Sequence, residues 1–454
     1  MTTMKNYLIL FLTIFTLLSC TQKSNSIEGA NNSSTPEISK IYPLKEYQED
    51  FNEMVELLLK NHPQPYAFIS KDSLKSLIHV QYNKITEATT LAKFIWICQK
   101  VVAAVRCGHS EVWSHDINNV PKTLVFPMNV RYVGSKLYII DPKNNLNKLS
   151  VGDEVLTING VKVKTLREEI FKHLSSDGYN ESHKHERANL LFKPYSSMFF
   201  DFPTSYKVSV RKNGKVEEID LEEAENRDHS KTFLDNCKNQ LCFDTNLENN
   251  TAIITIRSFA YYKKRLPIFK SFIDSCFQHI NENQIQNLII DLRNNGGGDP
   301  FCGSYLLQHI ATKPYVYFNK EAKWYRELKK PIQPNPNRFK NKPFILTNGL
   351  CFSTTGHFCS IVKENNFGIF IGDNTGTTYT CNDNIKIYTL KNTKVLCKVA
   401  RNTYSTTVST LTNKYGIIPD HSVIPNIDNF LNNTDTVLNY TFQLIEKKQL
   451  VSQH

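Results

Sequence analysis

Three consecutive glycines at 296–298 follow the largely apolar segment 288–292 and could support anion chemistry. Because glycine has no side chain to obstruct, backbone N–H groups in such a turn can converge on one point. A turn of that kind can hold an anion or the oxyanion of a reacting carbonyl. An isolated glycine run also forms ordinary tight turns, so its chemistry depends on the residues around it.

Ser353 lies where a nucleophile would fit. The sequence predicts a strand at 344–347, a turn at 349–352 and a helix at 355–363. A serine at the start of a helix is close to N–H groups that favour developing negative charge, although the position also suits a plain N-cap. Cys351 is a rival nucleophile, but nothing near it in the sequence marks it as a thiolate.

A candidate base is His109, in the segment Cys107-Gly108-His109-Ser110 at the end of a helical region. Imidazole titrates near neutral pH, so it can take the proton of a hydroxyl and return it to a leaving amine. A single histidine is more often structural or exposed, and its sequence context decides between these interpretations.

The octet 291–298 (DLRNNGGG), followed by the strand, turn and serine at Ser353, resembles the carboxyl-terminal processing and tricorn-like serine peptidases. The resemblance implies that Ser353 is the nucleophile. It also implies that the N–H of Thr354, with that of Gly297 or Gly298, forms the oxyanion hole. No metal or other cofactor is expected from it.

The activating residues depart in part from the family pattern. The processing branch uses a lysine that would fall at Thr378, where none is present. The tricorn-like branch uses a histidine, and the segment at His109 resembles its Gly-His motif. The acidic partner corresponds to Asn413, which can orient an imidazole but cannot stabilise an imidazolium by charge. Leu-Cys-Phe at 350–352 also replaces the small residues of the family's turn.

With 454 residues, the chain is expected to be a multidomain α/β protein. Helical periodicity predicts an N-terminal helical cap domain at 41–115, and short strands at 122–225 resemble a PDZ-like β module. Strands that alternate with helices at 245–450 predict a covered, largely parallel sheet. The resemblance implies that this last part is a crotonase-like α/β serine peptidase core.

The N-terminus reads as a bacterial lipoprotein signal at 1–20. Lys5 precedes an apolar run at 7–18, and the run ends Leu-Leu-Ser-Cys, which resembles a lipobox with Cys20 as the lipidated residue. A plain signal peptide is the alternative. Residues 21–40 are rich in Ser, Asn and Thr, as a flexible tether would be. The expected location is the cell envelope, with the chain anchored in a membrane and facing the periplasm or the cell surface.

The net charge of +11 does not indicate nucleic-acid binding, because the excess is scattered and no aromatic-interleaved basic stripe accompanies it. Export permits disulfides among the ten cysteines that follow Cys20, and Cys237 and Cys242 form the closest pair in sequence. The pairing of the others stays open at this stage.

The expected function is therefore serine-type endopeptidase activity, through an acyl-enzyme, on unstructured peptides or protein tails outside the cytoplasm. The PDZ-like module would capture an extended chain by strand addition. The alternative is a catalytically weak or inactive peptide-binding lipoprotein, favoured by the missing lysine, Asn413 and the bulky turn. A lipid or retinoid binder of the related eye-protein type rests on analogy alone.

We predict that Cys20→Ala moves the protein from the membrane fraction to the soluble fraction while it stays folded. The acyl chains on Cys20 would supply the membrane affinity, at about 0.8 kcal/mol for each buried methylene. Cell fractionation with immunodetection measures the change, and Ser26→Ala in the same tether is the control. A Cys20→Ala protein that is cleaved at its signal and still sediments with membranes would contradict the lipobox.

Overall fold

The computed structural model describes residues 37–116, 120–223, 237–246 and 248–452. The predicted signal peptide, Cys20 and residues 21–36 of the tether lie outside this part of the chain. Among the described residues, no helix is both long enough and apolar enough to cross a membrane.

The helices and strands are labelled in chain order. The helices are α1 Leu44–Asn61, α2 Lys71–Tyr82, α3 Leu91–Ala104, α4 Val163–His173, α5 Glu181–Leu190, α6 Phe192–Phe199, α7 Leu266–Glu282, α8 Pro300–Gln308, α9 Thr354–Glu364, α10 Ile427–Leu431 and α11 Thr436–Ser452. The strands are β1 Glu111–Trp113, β2 Asn129–Val133, β3 Lys136–Asp141, β4 Glu154–Ile158, β5 Val161–Lys162, β6 Lys207–Lys212, β7 Lys215–Asp220, β8 Leu241–Asn246, β9 Thr251–Ile256, β10 Asn287–Asp291, β11 Phe344–Thr347, β12 Ile369–Gly372, β13 Thr380–Asp383, β14 Lys386–Thr389, β15 Leu396–Val399, β16 Asn402–Ser405 and β17 His421–Ser422.

The first three helices form the N-terminal part that the sequence predicts. In α1, an apolar face of helical period is buried, and α3 is buried along most of its length. Ser70 caps α2, because its hydroxyl accepts the N–H of Ser73 at 3.1 Å.

An antiparallel sheet with the strand order β2-β3-β4-β6-β7, to which β5 adds on β4, follows the helices. The helices α4, α5 and α6 lie in the chain between β5 and β6. One continuous hydrophobic core contains residues of α1 to α3, of this sheet and of α4 to α6. The parts predicted as a cap and a separate β module therefore pack around a shared core.

A β-hairpin joins the C-terminal half of the chain to this unit. Strand β15 pairs with β14 on one side and with β1 on the other, so Val112 lies opposite Cys397. The buried carboxylate of Asp50 in α1 accepts the N–H and the hydroxyl of Thr393, both at 2.7 Å. These contacts hold the end of α3 and the residues that follow it against the C-terminal half of the chain.

The C-terminal half is built on a sheet with the order β17-β12-β11-β10-β9-β8, in which all neighbours are parallel except the edge pair β8 and β9. One face of the sheet packs against α7, α8 and α9, and the other packs against α11. Coverage on both faces explains the continuous apolar runs of β10 and β11. The predicted strands and helices of this part are present to within a few residues, and the mixed α/β class is confirmed.

The pairing of β10 with β11 decides where the site lies. Asp291 at the end of β10 lies opposite Leu346 in β11. Because parallel neighbours end at the same edge of a sheet, the loop after β10 and the turn after β11 emerge side by side. Cys237 and Cys242, the closest cysteine pair in sequence, form a disulfide at the start of the edge strand β8.

A buried ion network holds the end of β10 to the C-terminal helix. The Arg293 guanidinium donates to both oxygens of Asp435 at 2.7 Å and to both oxygens of Asp291 at 2.8 and 2.9 Å. Arg257 donates to Asp291 at 3.1 Å. Burial alone raises the pKa of Asp291, but the charges and hydrogen bonds of the two arginines outweigh it and hold the pKa well below its ordinary value. The stabilisation is therefore complete above the unfolded pKa of about 3.9 and is lost as the pH falls through the folded pKa.

We predict that Asp435→Asn lowers the free energy of unfolding at pH 7 by about 2 kcal/mol, because Arg293 loses a charged, bidentate partner. Urea unfolding followed by circular dichroism measures the change. Asp428→Asn, an exposed aspartate in α10, is the matched control and is expected to change the free energy by less than about 0.5 kcal/mol. Equal effects of the two substitutions would contradict a stabilising role for the network.

Candidate active site

Ser353 lies at the sharp turn between β11 and α9. Its backbone has φ 54° and ψ −123°, a conformation that costs a residue with a side chain about 1–3 kcal/mol. The Ser353 N–H donates to Thr377 Oγ1 at 3.1 Å, and its carbonyl accepts the N–H of His357 at 3.1 Å. Within the described part of the chain, its side chain makes no capping hydrogen bond. Ser353 therefore occupies the N-cap position of α9 without capping the helix through its side chain, and the surrounding hydrogen bonds hold the strained turn.

The glycine loop packs directly against this turn. Gly297 has φ 94°, and a Cβ atom there would lie 2.6 Å from the Phe352 oxygen and 2.9 Å from the Thr354 nitrogen. Asn295 joins the two segments, because its carbonyl accepts the Phe352 N–H at 3.0 Å and its side chain accepts the Thr355 hydroxyl at 2.9 Å. Only a glycine allows the two backbones to approach this closely.

Two backbone N–H groups beside Ser353 remain available for an oxyanion. The Gly297 N–H is occupied, because it donates to the Asn295 side chain at 2.9 Å. The N–H groups of Gly298 and Thr354 have no acceptor among the residues that the structure covers, and the Thr354 hydroxyl holds the Gly298 carbonyl at 2.6 Å. Of the two glycines that the sequence indicated, the geometry thus favours Gly298.

His109, which follows α3, lies against the nucleophile turn. Its ring centroid is 4.7 Å from that of Phe352, the residue before Ser353. Its Nε2 atom lies 3.9 Å from an Asp383 carboxylate oxygen, and its buried Nδ1 atom has no hydrogen-bond partner in the described ranges. No hydrogen bond joins His109 to the Ser353 hydroxyl among those residues. The structure therefore places the candidate base His109 beside the turn that carries the candidate nucleophile Ser353, without a hydrogen bond between them.

Phe352 explains why this turn carries a bulky residue. Its ring lies between two imidazoles, because His183 stacks on it at 4.6 Å with an interplanar angle of 17°. On the His109 side, a Cβ atom at Gly108 would lie 2.5 Å from the Phe352 ring, so only glycine fits there. Burial lowers the pKa of His183 to about 3, which keeps this ring neutral at neutral pH. The large side chain thus fills the space between α5 and the residues after α3.

Cys351 has a structural role. Its thiol is buried and donates to the Leu292 carbonyl at 2.9 Å, which joins the turn to the end of β10. Burial raises the pKa of Cys351 to about 12, so the thiol is neutral at physiological pH. A neutral, enclosed thiol is a poor nucleophile, which leaves Ser353 as the better candidate.

Asn413 is exposed at the position where the sequence indicated an acid equivalent. Its side chain makes no hydrogen bond to His109 in the part of the chain that is described. A Cβ atom at Gly178 would lie 3.0 Å from the Asn413 backbone oxygen, so the loop borders the segment between α4 and α5. Asn413 therefore lies close to this segment through its backbone oxygen.

Sequence reasoning missed Asp177 in that neighbouring segment. The Asp177 carboxylate is buried, and it accepts the Gly108 N–H and the Thr377 hydroxyl, each at 2.8 Å. Burial raises the pKa of Asp177, and the nearby charge of His109 partly offsets that effect. Asp-Gly in a loop is an ordinary turn sequence, so no local signal distinguishes this aspartate.

A second buried pair was also missed. The thiol of Cys381 lies 3.5 Å from Nε2 of His357, which is one helical turn after Ser353, and it also interacts with the Ser353 side chain. Burial lowers the pKa of His357 to about 3, so this imidazole is neutral near pH 7. The described residues contain no group of three or more His, Cys, Asp or Glu that could hold a metal ion.

Comparison with known proteins shows a match to one family model and a similarity to solved structures. Residues 250–423 match the model of peptidase family S41. The fold resembles mature CPAF complexed with lactacystin, with a TM-score of 0.63 and 12% identity over 90% of this chain and 98% of that chain. It also resembles a second structure of mature CPAF, with a TM-score of 0.63 and 13% identity over 90% of this chain and 97% of that chain. No curated protein matches the sequence.

We predict that Gly297→Ala lowers peptidase activity at least about 10²-fold, because the new Cβ atom would push the turn and Thr354 out of position. Steady-state cleavage of an unfolded protein measures the effect. The matched control is Gly214→Ala, which also has a positive φ but where a Cβ atom would meet nothing within 4 Å. A loss of activity in both variants would show that backbone strain, and not the contact with the turn, is responsible.

Proposed function

We propose that Ser353 is the nucleophile of this protein and that His109 is its general base. The proposal starts from the peptidase domain of family S41 that the chain carries, which makes it a serine peptidase by family. We further propose that it acts as an endopeptidase on unstructured peptides or protein tails outside the cytoplasm. The observation that carries the proposal is the position of Ser353 on a strained turn, beside the open N–H groups of Gly298 and Thr354.

The residues support an acyl-enzyme mechanism. His109 removes the Ser353 hydroxyl proton as Oγ attacks the peptide carbonyl, and the Gly298 and Thr354 N–H groups stabilise the oxyanion. The imidazolium then gives its proton to the leaving amine as the C–N bond breaks. A water molecule hydrolyses the acyl-enzyme by the same route, which regenerates the hydroxyl and the neutral imidazole.

This mechanism requires the His109 ring to reorient. Its Nε2 atom lies 3.9 Å from Asp383, and the imidazole must turn from that carboxylate to the Ser353 hydroxyl. Such contacts are often long in a free enzyme and tighten when the substrate binds. A peptide backbone that settles over Gly298 would exclude water from the same space.

The low solvent exposure of Ser353 limits which substrates can reach it. Ser353 is only 9% exposed, and it lies where the residues after α3, the α4–α5 segment and the glycine loop meet. A folded protein surface cannot reach a hydroxyl so enclosed, whereas a single extended chain can. The resemblance of residues 1–20 to a lipoprotein signal, followed by the Ser-, Asn- and Thr-rich segment, supports the proposed location at a membrane outside the cytoplasm.

A catalytically weak or inactive peptide binder is the second candidate. The observation that favours it is that no hydrogen bond joins Ser353 to His109 among the described residues, while the Ser353 side chain interacts with the Cys381 thiol. A binder of this kind would hold an extended chain at the same site and would lack an activated serine.

Covalent labelling decides between the two. We expect a fluorophosphonate probe to label the wild type and to fail with Ser353→Ala, because the probe reacts with an activated serine. Turnover of an unfolded protein should fall about 10³-fold or more in Ser353→Ala and in His109→Ala, and the double variant should be little worse, because the residues act as a unit.

Gel fluorescence and steady-state kinetics are the measurements, and His79→Ala, in α2, is the matched control for the histidine. A wild type that neither labels nor cleaves would favour the binder. Unchanged turnover in both Ser353→Ala and His109→Ala would refute the mechanism.

A further inference from the structure

Asp177 is linked by hydrogen bonds to the backbone near both residues of the proposed dyad. One carboxylate oxygen accepts the N–H of Gly108, the residue before His109, at 2.8 Å. The other accepts the hydroxyl of Thr377 at 2.8 Å, and Thr377 Oγ1 in turn accepts the Ser353 N–H at 3.1 Å. A chain of three hydrogen bonds thus runs from the backbone before His109, through Asp177, to the backbone of the nucleophile.

Few neighbouring groups compensate the negative charge of Asp177. No Lys or Arg forms an ion pair with this buried carboxylate among the residues of the described ranges, and its two hydrogen bonds come from neutral donors. A buried carboxylate without a cation is costly unless an ionisable neighbour can compensate it. Among the groups whose charge acts on Asp177, His109 is the one that favours the ionised carboxylate.

His109 lacks a hydrogen-bond partner where Asp177 could supply one. Its Nδ1 atom is buried without a hydrogen-bond partner in the described part of the chain. Each oxygen of a carboxylate can accept two hydrogen bonds, so both Asp177 oxygens keep capacity for a further donor. An Nδ1–H that donates to a carboxylate fixes the tautomer in which Nε2 is free to accept the serine proton.

We propose that Asp177 is the positioning carboxylate of the site, which orients His109 through Nδ1 and stabilises the imidazolium, in the role that the sequence assigned to Asn413. This inference rests on the proposed function and deepens it. Asp177 acts through His109 and through the Thr377 link to Ser353, and does not touch the substrate.

Other titratable groups also face His109. Asp383 in β13 lies 3.9 Å from Nε2, so it competes for the atom that must accept the serine proton. The charge of His109 also acts on His183 in α5 and on His357 in α9, and burial keeps both of these imidazoles neutral near pH 7. Asp177 is therefore the acidic group that can act on His109 without occupying Nε2.

The test is Asp177→Asn, which keeps the size of the side chain and removes its charge. We expect kcat to fall about 10²-fold or more with little change in KM, and the acidic limb of the kcat/KM profile to move to lower pH. Asp220→Asn, an exposed aspartate in β7, is the matched control and should leave both parameters and the profile as they are in the wild type. Thermal unfolding of each variant checks that the fold is intact.

Each outcome separates this inference from the proposed function. Loss of activity in Ser353→Ala with wild-type kcat and profile in a folded Asp177→Asn overturns the role of Asp177 and leaves the peptidase proposal standing. Loss of kcat in Asn413→Ala and not in Asp177→Asn also overturns it, in favour of Asn413. A wild type that neither labels nor cleaves removes the proposed function itself.

If Asp177→Asn does not fold, ¹⁵N NMR of histidine-labelled wild type decides. The resonances of His109, assigned by their absence from His109→Gln, must show a protonated Nδ1 in a strong hydrogen bond that persists in Asn413→Ala. A His109 with an unprotonated Nδ1 at neutral pH overturns the proposal.

Discussion

The parallel pairing of β10 with β11 is the constraint on which the site depends. Both strands are buried on both faces, so neither can shift its register without moving a row of apolar side chains out of the core. Their carboxyl ends are therefore fixed side by side. The glycine loop after one strand and the serine turn after the other meet because of this pairing, and Asn295 then joins them by hydrogen bonds.

The N-terminal unit supplies the second half of the site, which contains His109. His109 lies between α3 and β1, and its position depends on the core that α3 shares with the antiparallel sheet and on the pairing of β1 with β15. The ring of Phe352 reaches across this junction and packs between His109 and His183. The bulky turn that departs from the family's small residues thus serves as the contact between the two units.

The electrostatics of the junction differ from those at the end of β10. Asp291 is buried with two arginines, so its carboxylate is fully compensated and stabilises the fold. Asp177 is buried against neutral donors and burial raises its pKa, so its charge does not stabilise the fold as that of Asp291 does. Perturbed carboxylates of the second type are the ones expected near catalytic groups.

The local features of this protein could be predicted from its sequence. Apolar runs identified β10 and β11, helical periodicity identified α9, and turn residues placed the glycines and Ser353 between them, because each signal depends on neighbours within a few positions. The resemblance of the octet at 291–298 indicated the same type of peptidase as the family model that matches residues 250–423.

Only the tertiary structure decided the rest. The sequence left Gly297 and Gly298 open as the oxyanion donor. The structure favours Gly298, because the Gly297 N–H donates to the Asn295 side chain and loop geometry sets that bond. Asp177 gave no signal because its partners, Gly108 and Thr377, lie 69 and 200 positions away in the chain. Burial and charge are properties of the folded assembly, so a carboxylate in an ordinary turn sequence acquires its role only when three distant segments close around it.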